Sequence, residues 1–107
     1  MRLRLLAIAV TLCASSSARA DDRTVTLVIR DGGFEPAEVK GPRALRFRLD
    51  VTNETDGKVE FESFHLNRER VIKPGQRASL YLSELSPGRY EFFDELHPEH
   101  RGVLLIE

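Results

Sequence analysis

The segment Asp94-Glu95-Leu96-His97-Pro98-Glu99-His100 sets one carboxylate and two imidazoles at intervals of three. On a tight connection between strands, that spacing can turn three side chains toward one point. A carboxylate with two imidazoles is a donor set suited to a divalent transition metal. The same residues also fit a solvated polar loop that binds nothing, and spacing alone does not separate the two readings. The chain has no Gly-rich phosphate loop, no G-x-S-x-G elbow and no H-E-x-x-H, so nucleophilic hydrolysis and zinc-protease chemistry find no support. Asp94 and Glu95 are neighbours that point apart on an extended backbone, which argues against an acid–base pair.

The elements that would carry this segment read as strands. Thr24 to Arg30 is rich in β-branched residues and ends at Asp31-Gly32-Gly33, a strand followed by a turn. Phe34 to Val39 contains Pro36, which confines it to an edge strand or a bulge. From Ala44 to Thr52, Leu45, Phe47, Leu49 and Val51 alternate with Arg46, Arg48, Asp50 and Thr52, so one face is apolar and the other polar. After the polar turn Asn53 to Gly57, Val59 and Phe61 alternate with Glu60 and Glu62, which share a face. His65 to Arg70 has no strong period and reads as a loop or a short helical turn. Val71 to Gly75, Ala78 to Leu82, Tyr90 to Phe93 and Val103 to Ile106 complete seven or eight short strands with no long helix, the pattern of an all-β sandwich or barrel. Of Tyr90, Phe92 and Phe93, the expected arrangement is core with one residue outward.

Composition sets the compartment. Met1-Arg2-Leu3-Arg4, the apolar run from Leu5 to Ala14 and Ala18-Arg19-Ala20 form a signal peptide with cleavage after Ala20, giving 1–20 as signal and 21–107 as one domain. Lipidation at Cys13 is the rival reading, opposed by Leu12 where a small residue is wanted. Removal of 1–20 takes away the single cysteine and three arginines, leaving 13 basic against 17 acidic residues, a formal charge of −4. Neither a disulfide nor a thiolate ligand is then available, and a copper–thiolate centre is excluded. The acidic balance argues against nucleic acid and against an anionic membrane surface. The chain is expected in the periplasm, not embedded in a membrane, as a monomer or weak dimer.

Asp94 to Gly102 resembles the ligand loop of the cupredoxins. In the amicyanin type, that loop runs Cys, two residues, His, Pro, one residue, Met, Arg, Gly. Asp94 stands at the Cys position, His97 at the His and His100 at the Met, while Pro98, Arg101 and Gly102 match directly. The Phe34-x-Pro36 segment, the Val71 to Gly75 turn and Pro87-Gly88-x-Tyr90-x-Phe92 are similar to the EfeO-type cupredoxin-like family, over essentially all of residues 24–107. The resemblance implies a Greek-key β-sandwich. It also implies an upstream histidine ligand shortly after an Asn like Asn53, yet the corresponding position falls on Val59 or Glu60. The upstream donor is then expected to be a carboxylate, Glu60 first and Glu62 second, with His65 a further candidate.

An oxygen and nitrogen set of Glu60 or Glu62 with Asp94, His97 and His100 suits a copper or iron ion, and Zn(II) as well. Phe61-Glu62-Ser63 and Leu66-Asn67-Arg68-Glu69 resemble the small cysteine-free cupredoxin-like component of bacterial ferrous iron uptake systems. That resemblance implies support of Fe(II) oxidation, or transfer of iron between a periplasmic iron-binding protein and an inner-membrane permease. A periplasmic copper carrier and a metal-free β-sandwich interaction module are the alternatives.

Overall fold

The structure, a computed structural model, describes residues 23–107 together with Arg2. The signal peptide expected over 1–20 otherwise lies outside the described residues. Nine strands follow one another: β1 (Thr24–Arg30), β2 (Gly33–Glu35), β3 (Glu38–Gly41), β4 (Phe47–Asn53), β5 (Val59–Ser63), β6 (Arg68–Ile72), β7 (Arg77–Leu82), β8 (Gly88–Asp94) and β9 (His97–Ile106). They form a four-stranded sheet in the order β2-β1-β4-β7 and a five-stranded sheet in the order β3-β9-β8-β5-β6. Each sheet mixes one parallel pair, β1 with β4 and β3 with β9, with antiparallel neighbours. This is the expected all-β sandwich. Among the described residues no helix is long and apolar enough to cross a membrane.

Alternation places the core. Leu27 and Ile29 of β1, Phe47, Leu49 and Val51 of β4, and Ala78, Leu80 and Leu82 of β7 face inward from the first sheet. Val59 and Phe61 of β5, Phe92 of β8, and Leu104 and Ile106 of β9 meet them from the second. Phe34, Phe61 and Phe92 form an aromatic group across the two layers. Phe34 sits edge-on to Phe92 with centroids 4.9 Å apart, and Phe61 lies 5.3 Å from Phe92 in a stacked arrangement. Full burial of each such ring contributes about 1.5–3 kcal/mol. Phe93 points outward, with the Arg101 guanidinium 5.0 Å above its ring.

The structure refines three expectations. Phe34 to Val39 is divided at Pro36, so that β2 edges one sheet and β3 edges the other. The residues from Arg68 form a strand, preceded by a turn in which Asn67 takes φ +52°. Its exposed positions carry no apolar period, which is why the sequence conceals it. Leu45, expected on the apolar face, lies before β4 and is 43% exposed.

Two polar side chains are buried for structural reasons. Asn53 donates from Nδ2 to the carbonyls of Gly57 (2.8 Å) and Ile72 (2.9 Å), and its Oδ1 accepts from Thr55 N (2.9 Å) and Thr55 Oγ1 (2.7 Å). It therefore ties the β4–β5 turn to the end of β6. Ser63 Oγ donates to Glu91 O (2.7 Å) and accepts from Leu66 N (3.1 Å), fixing the turn after β5.

Candidate metal centre

Asp94 closes β8 and His97 opens β9, so the expected loop is a hairpin with only Glu95 and Leu96 at its tip. Phe93 pairs with Arg101 but Asp94 pairs with His97, leaving Pro98, Glu99 and His100 as extra residues opposite a single step of β8. A proline cannot donate to a ladder, and a bulge is where a strand accommodates one. The bulge returns His100 to the side of His97. Their rings are 5.5 Å apart between centroids and inclined by 24°. One ligand atom from each of Asp94, His97 and His100 lies within 4.8 Å of the others.

Asp94 is the anchor of the group and is 1% exposed. Its Oδ1 accepts from the backbone N–H of Glu60 and of Leu96, both at 3.0 Å. Two amide donors on one oxygen hold the carboxylate in place. Its Oδ2 lies 3.1 Å from His97 Nδ1. With the proton on Nδ1 this is a hydrogen bond and Nε2 carries the free lone pair. With the proton on Nε2, Nδ1 and Oδ2 both offer lone pairs to a cation. His97 is more than half exposed and His100 half-buried, packed over the backbone of Gly33. Gly33 has φ +117°, and a Cβ there would lie 3.4 Å from the His100 ring, so glycine leaves that ring its seat.

A cleft of about 440 Å³ opens over these residues, and Val59, Asp31, Asp56 and Glu99 line it as well. Asp31 follows β1 and Asp56 follows β4. Because β1 and β4 run parallel, their exit turns meet at one end. Neither turn residue stood out in the sequence, and only the parallel pairing brings them to the site.

Strand parity decides the position of the other candidates. Asp94 lies opposite Phe61 and shares its inward side, as does Val59, whereas Glu60 and Glu62 alternate to the outer face. Glu60 thus gives Asp94 its backbone N–H, while its side chain gathers with Glu69 and Glu95 in a separate group whose ligand atoms lie within 4.8 Å. Glu62 lies on the same outer face beside Glu69, its register partner. His65 sits past the other end of β5, where its Nδ1 accepts from Glu91 N at 3.0 Å. The structure therefore brings together Asp94, His97 and His100, and it does not bring Glu60, Glu62 or His65 to them.

The outer carboxylates repel one another. Glu69 is held above the ordinary carboxylate range, first by a hydrogen bond shared with Glu60 and next by the charge of Glu62. Glu95 is raised first by the charge of Glu60, with a hydrogen bond to it adding to the effect. A raised carboxylate pKa means that the folded state retains protons which the unfolded state has lost, so stability falls as pH rises through that interval. Glu69→Gln is therefore expected to raise the melting temperature at neutral pH. The gain should shrink as the pH is lowered into the carboxylate range, as parallel melts of the two proteins would record.

The profile of the cupredoxin-like domain family matches residues 3–106. The chain belongs to the cupredoxin-like domain family. A relative within reach is the uncharacterized protein RP394 of Rickettsia prowazekii (strain Madrid E), 34% identical over 83 residues, covering 77% of this chain and 66% of that protein. This cupredoxin-like chain thus spans about two thirds of the relative's length. Among solved structures, the metal-binding domain of the Cu(I)-exporting P-type ATPase CopA of Streptococcus pneumoniae superposes with a TM-score of 0.71 at 13% identity, covering 78% of this chain and 84% of that one. The purple cupredoxin of Nitrosopumilus maritimus gives 0.63 at 16% identity, with coverage of 78% and 99%. A Cu(I) form of amicyanin gives 0.64 at 19%, with coverage of 78% and 82%. At these identities the likeness establishes the fold.

Proposed function

We propose that this cupredoxin-like protein binds a transition metal in the periplasm through Asp94, His97 and His100, without a thiolate, and serves in iron uptake. The observation that carries the metal reading is the convergence of a buried, amide-held carboxylate and two imidazoles at one end of the sandwich. The donors fit a borderline divalent ion, and among such ions copper binds most tightly by the Irving–Williams order. The copper named with the ATPase domain and with amicyanin supports the same choice. Export is supported by the basic start, the apolar run and the Ala18-Arg19-Ala20 exit.

The role in iron uptake rests on the resemblance to the EfeO-type domains and on the chemistry of oxygen donors. Carboxylates stabilise Fe(III) relative to Fe(II), as a protein that favours Fe(II) oxidation or hands iron to a periplasmic iron-binding protein or permease requires.

Calorimetric titration of the apo-protein with Cu(II), Zn(II) and Fe(II), beside the His97→Ala/His100→Ala variant, tests the site. One-to-one binding that the double variant abolishes is the expected result. Equal binding by both proteins would place the metal elsewhere, and no binding would leave the sandwich as a docking module. The rate of Fe(II) oxidation with and without bound copper then tests the iron role separately.

A further inference from the structure

β1 begins at a second cleft. Arg23, Thr24, Arg46, Arg48, Arg68 and Tyr81 surround a cavity of about 510 Å³, with Phe47 and Leu82 supplying apolar surface. Ile29 and Arg30, at the other end of the same strand, line the metal cleft. Four residues of β1 lie between Thr24 and Ile29, which sets the two clefts roughly 17 Å apart along the strand. Four guanidinium groups on one cavity stand out in a chain with more acidic than basic residues.

Their charge is only partly answered. Arg46 Nε lies 3.4 Å from Glu84, and Arg48 Nε lies 3.0 Å from Asp50 Oδ1. Arg68 makes no ion pair with a carboxylate among the described residues. Instead it donates to the carbonyl of Tyr81 at 3.2 Å, which fixes its planar group across the gap between β6 and β7. The Arg48 side chain is 41% exposed, and the one carboxylate that answers it, Asp50, also accepts from Ser79 Oγ at 2.7 Å. Guanidinium forks pair with carboxylate and phosphate oxygens in two parallel bonds. A few convergent polar groups over an apolar floor, in a cavity of this size, describe a small-molecule site.

We propose that this arginine-lined cleft binds a small polyanion bearing carboxylate or phosphate groups. The site is separate from the metal centre and stands whether or not that centre is occupied.

The test is calorimetric titration of the metal-free protein, at neutral pH and low salt, with citrate, pyrophosphate and inorganic phosphate in separate runs. One-to-one binding in the micromolar to sub-millimolar range is expected, weakened by at least about tenfold, or 1.4 kcal/mol, in Arg46→Gln/Arg68→Gln. Lys58→Gln, at the metal cleft, should bind as the parent does. Amide shift changes on binding should centre on Thr24, Tyr81 and Ser83. Tighter citrate than pyrophosphate names a carboxylate ligand, and the reverse names a phosphate. If the double variant loses its fold, Arg46→Gln alone serves, since that side chain is 80% exposed. No binding of any of the three anions, or binding untouched by the arginine substitutions, would overturn the proposal.

Discussion

Asp94→Ala is expected to lose metal affinity by about 100-fold or more and, in the same step, to lose stability, because in the proposed site one carboxylate serves both purposes. Its Oδ2 faces the His97 ring while its Oδ1 carries the amides of Glu60 and Leu96. Without an acceptor, two partly buried N–H groups are left to whatever water reaches them, at a combined cost of about 2 kcal/mol. Asp94→Asn separates the two effects. The amide oxygen still accepts from Glu60 and Leu96, so the urea midpoint should stay near the parent's. The negative charge is gone, and Cu(II) affinity should fall by at least about tenfold. Equal Cu(II) affinity in all three proteins would remove Asp94 from the ligand set and confine it to bracing the hairpin.

Gly102→Ala carries the largest expected cost to folding. A Cβ at Gly102 would overlap the ring of Phe92 and come within 2.9 Å of the Ala37 carbonyl oxygen. The ring has no room to retreat: Phe92 is fully buried between Phe34 and Phe61. The Ala37 carbonyl is held by the N–H of Val103 at 2.8 Å. Overpacking of this kind costs about 3 kcal/mol, against a total stability of roughly 5–10 kcal/mol for a domain of this size. The melting temperature should drop by about 15 °C. A drop of only a degree or two would show that β9 can shift away from Phe92 without loss.

The spacing of Asp94, His97 and His100 and the alternation in β4 and β5 were legible from the sequence, because both depend on residues close along the chain. The assignment of upstream donors was not. Whether Glu60 or Val59 faces Asp94 depends on which residue of β5 pairs with Asp94, and the pairing with Phe61 is a contact across more than thirty positions. Parity then turns Glu60 outward. The splitting of Phe34 to Val39 between two sheets has the same origin, since local period does not report partners. The arginine cleft draws on positions 23, 46, 48 and 68, from three separate strands and the residues that lead into them. No local motif announces such a set.

Arginines gather where β1 begins; where it ends, carboxylates outnumber cations, with Asp31, Asp56, Asp94 and Glu99 beside Arg30 and Lys58, and Glu60 and Glu95 just outside. A formal charge of −1 for the whole chain conceals this separation. The molecule carries a dipole moment along the strand axis, and its torque acts on an approaching charged partner before any contact forms. The Asp94 end therefore turns toward cationic surfaces and the arginine end toward anionic ones. That orienting force survives to about 10 Å in 0.1 M salt and fades beyond it. Such a protein is steered in its encounters by the arrangement of its charge as well as by its sum, and ionic strength enters its association rates through both.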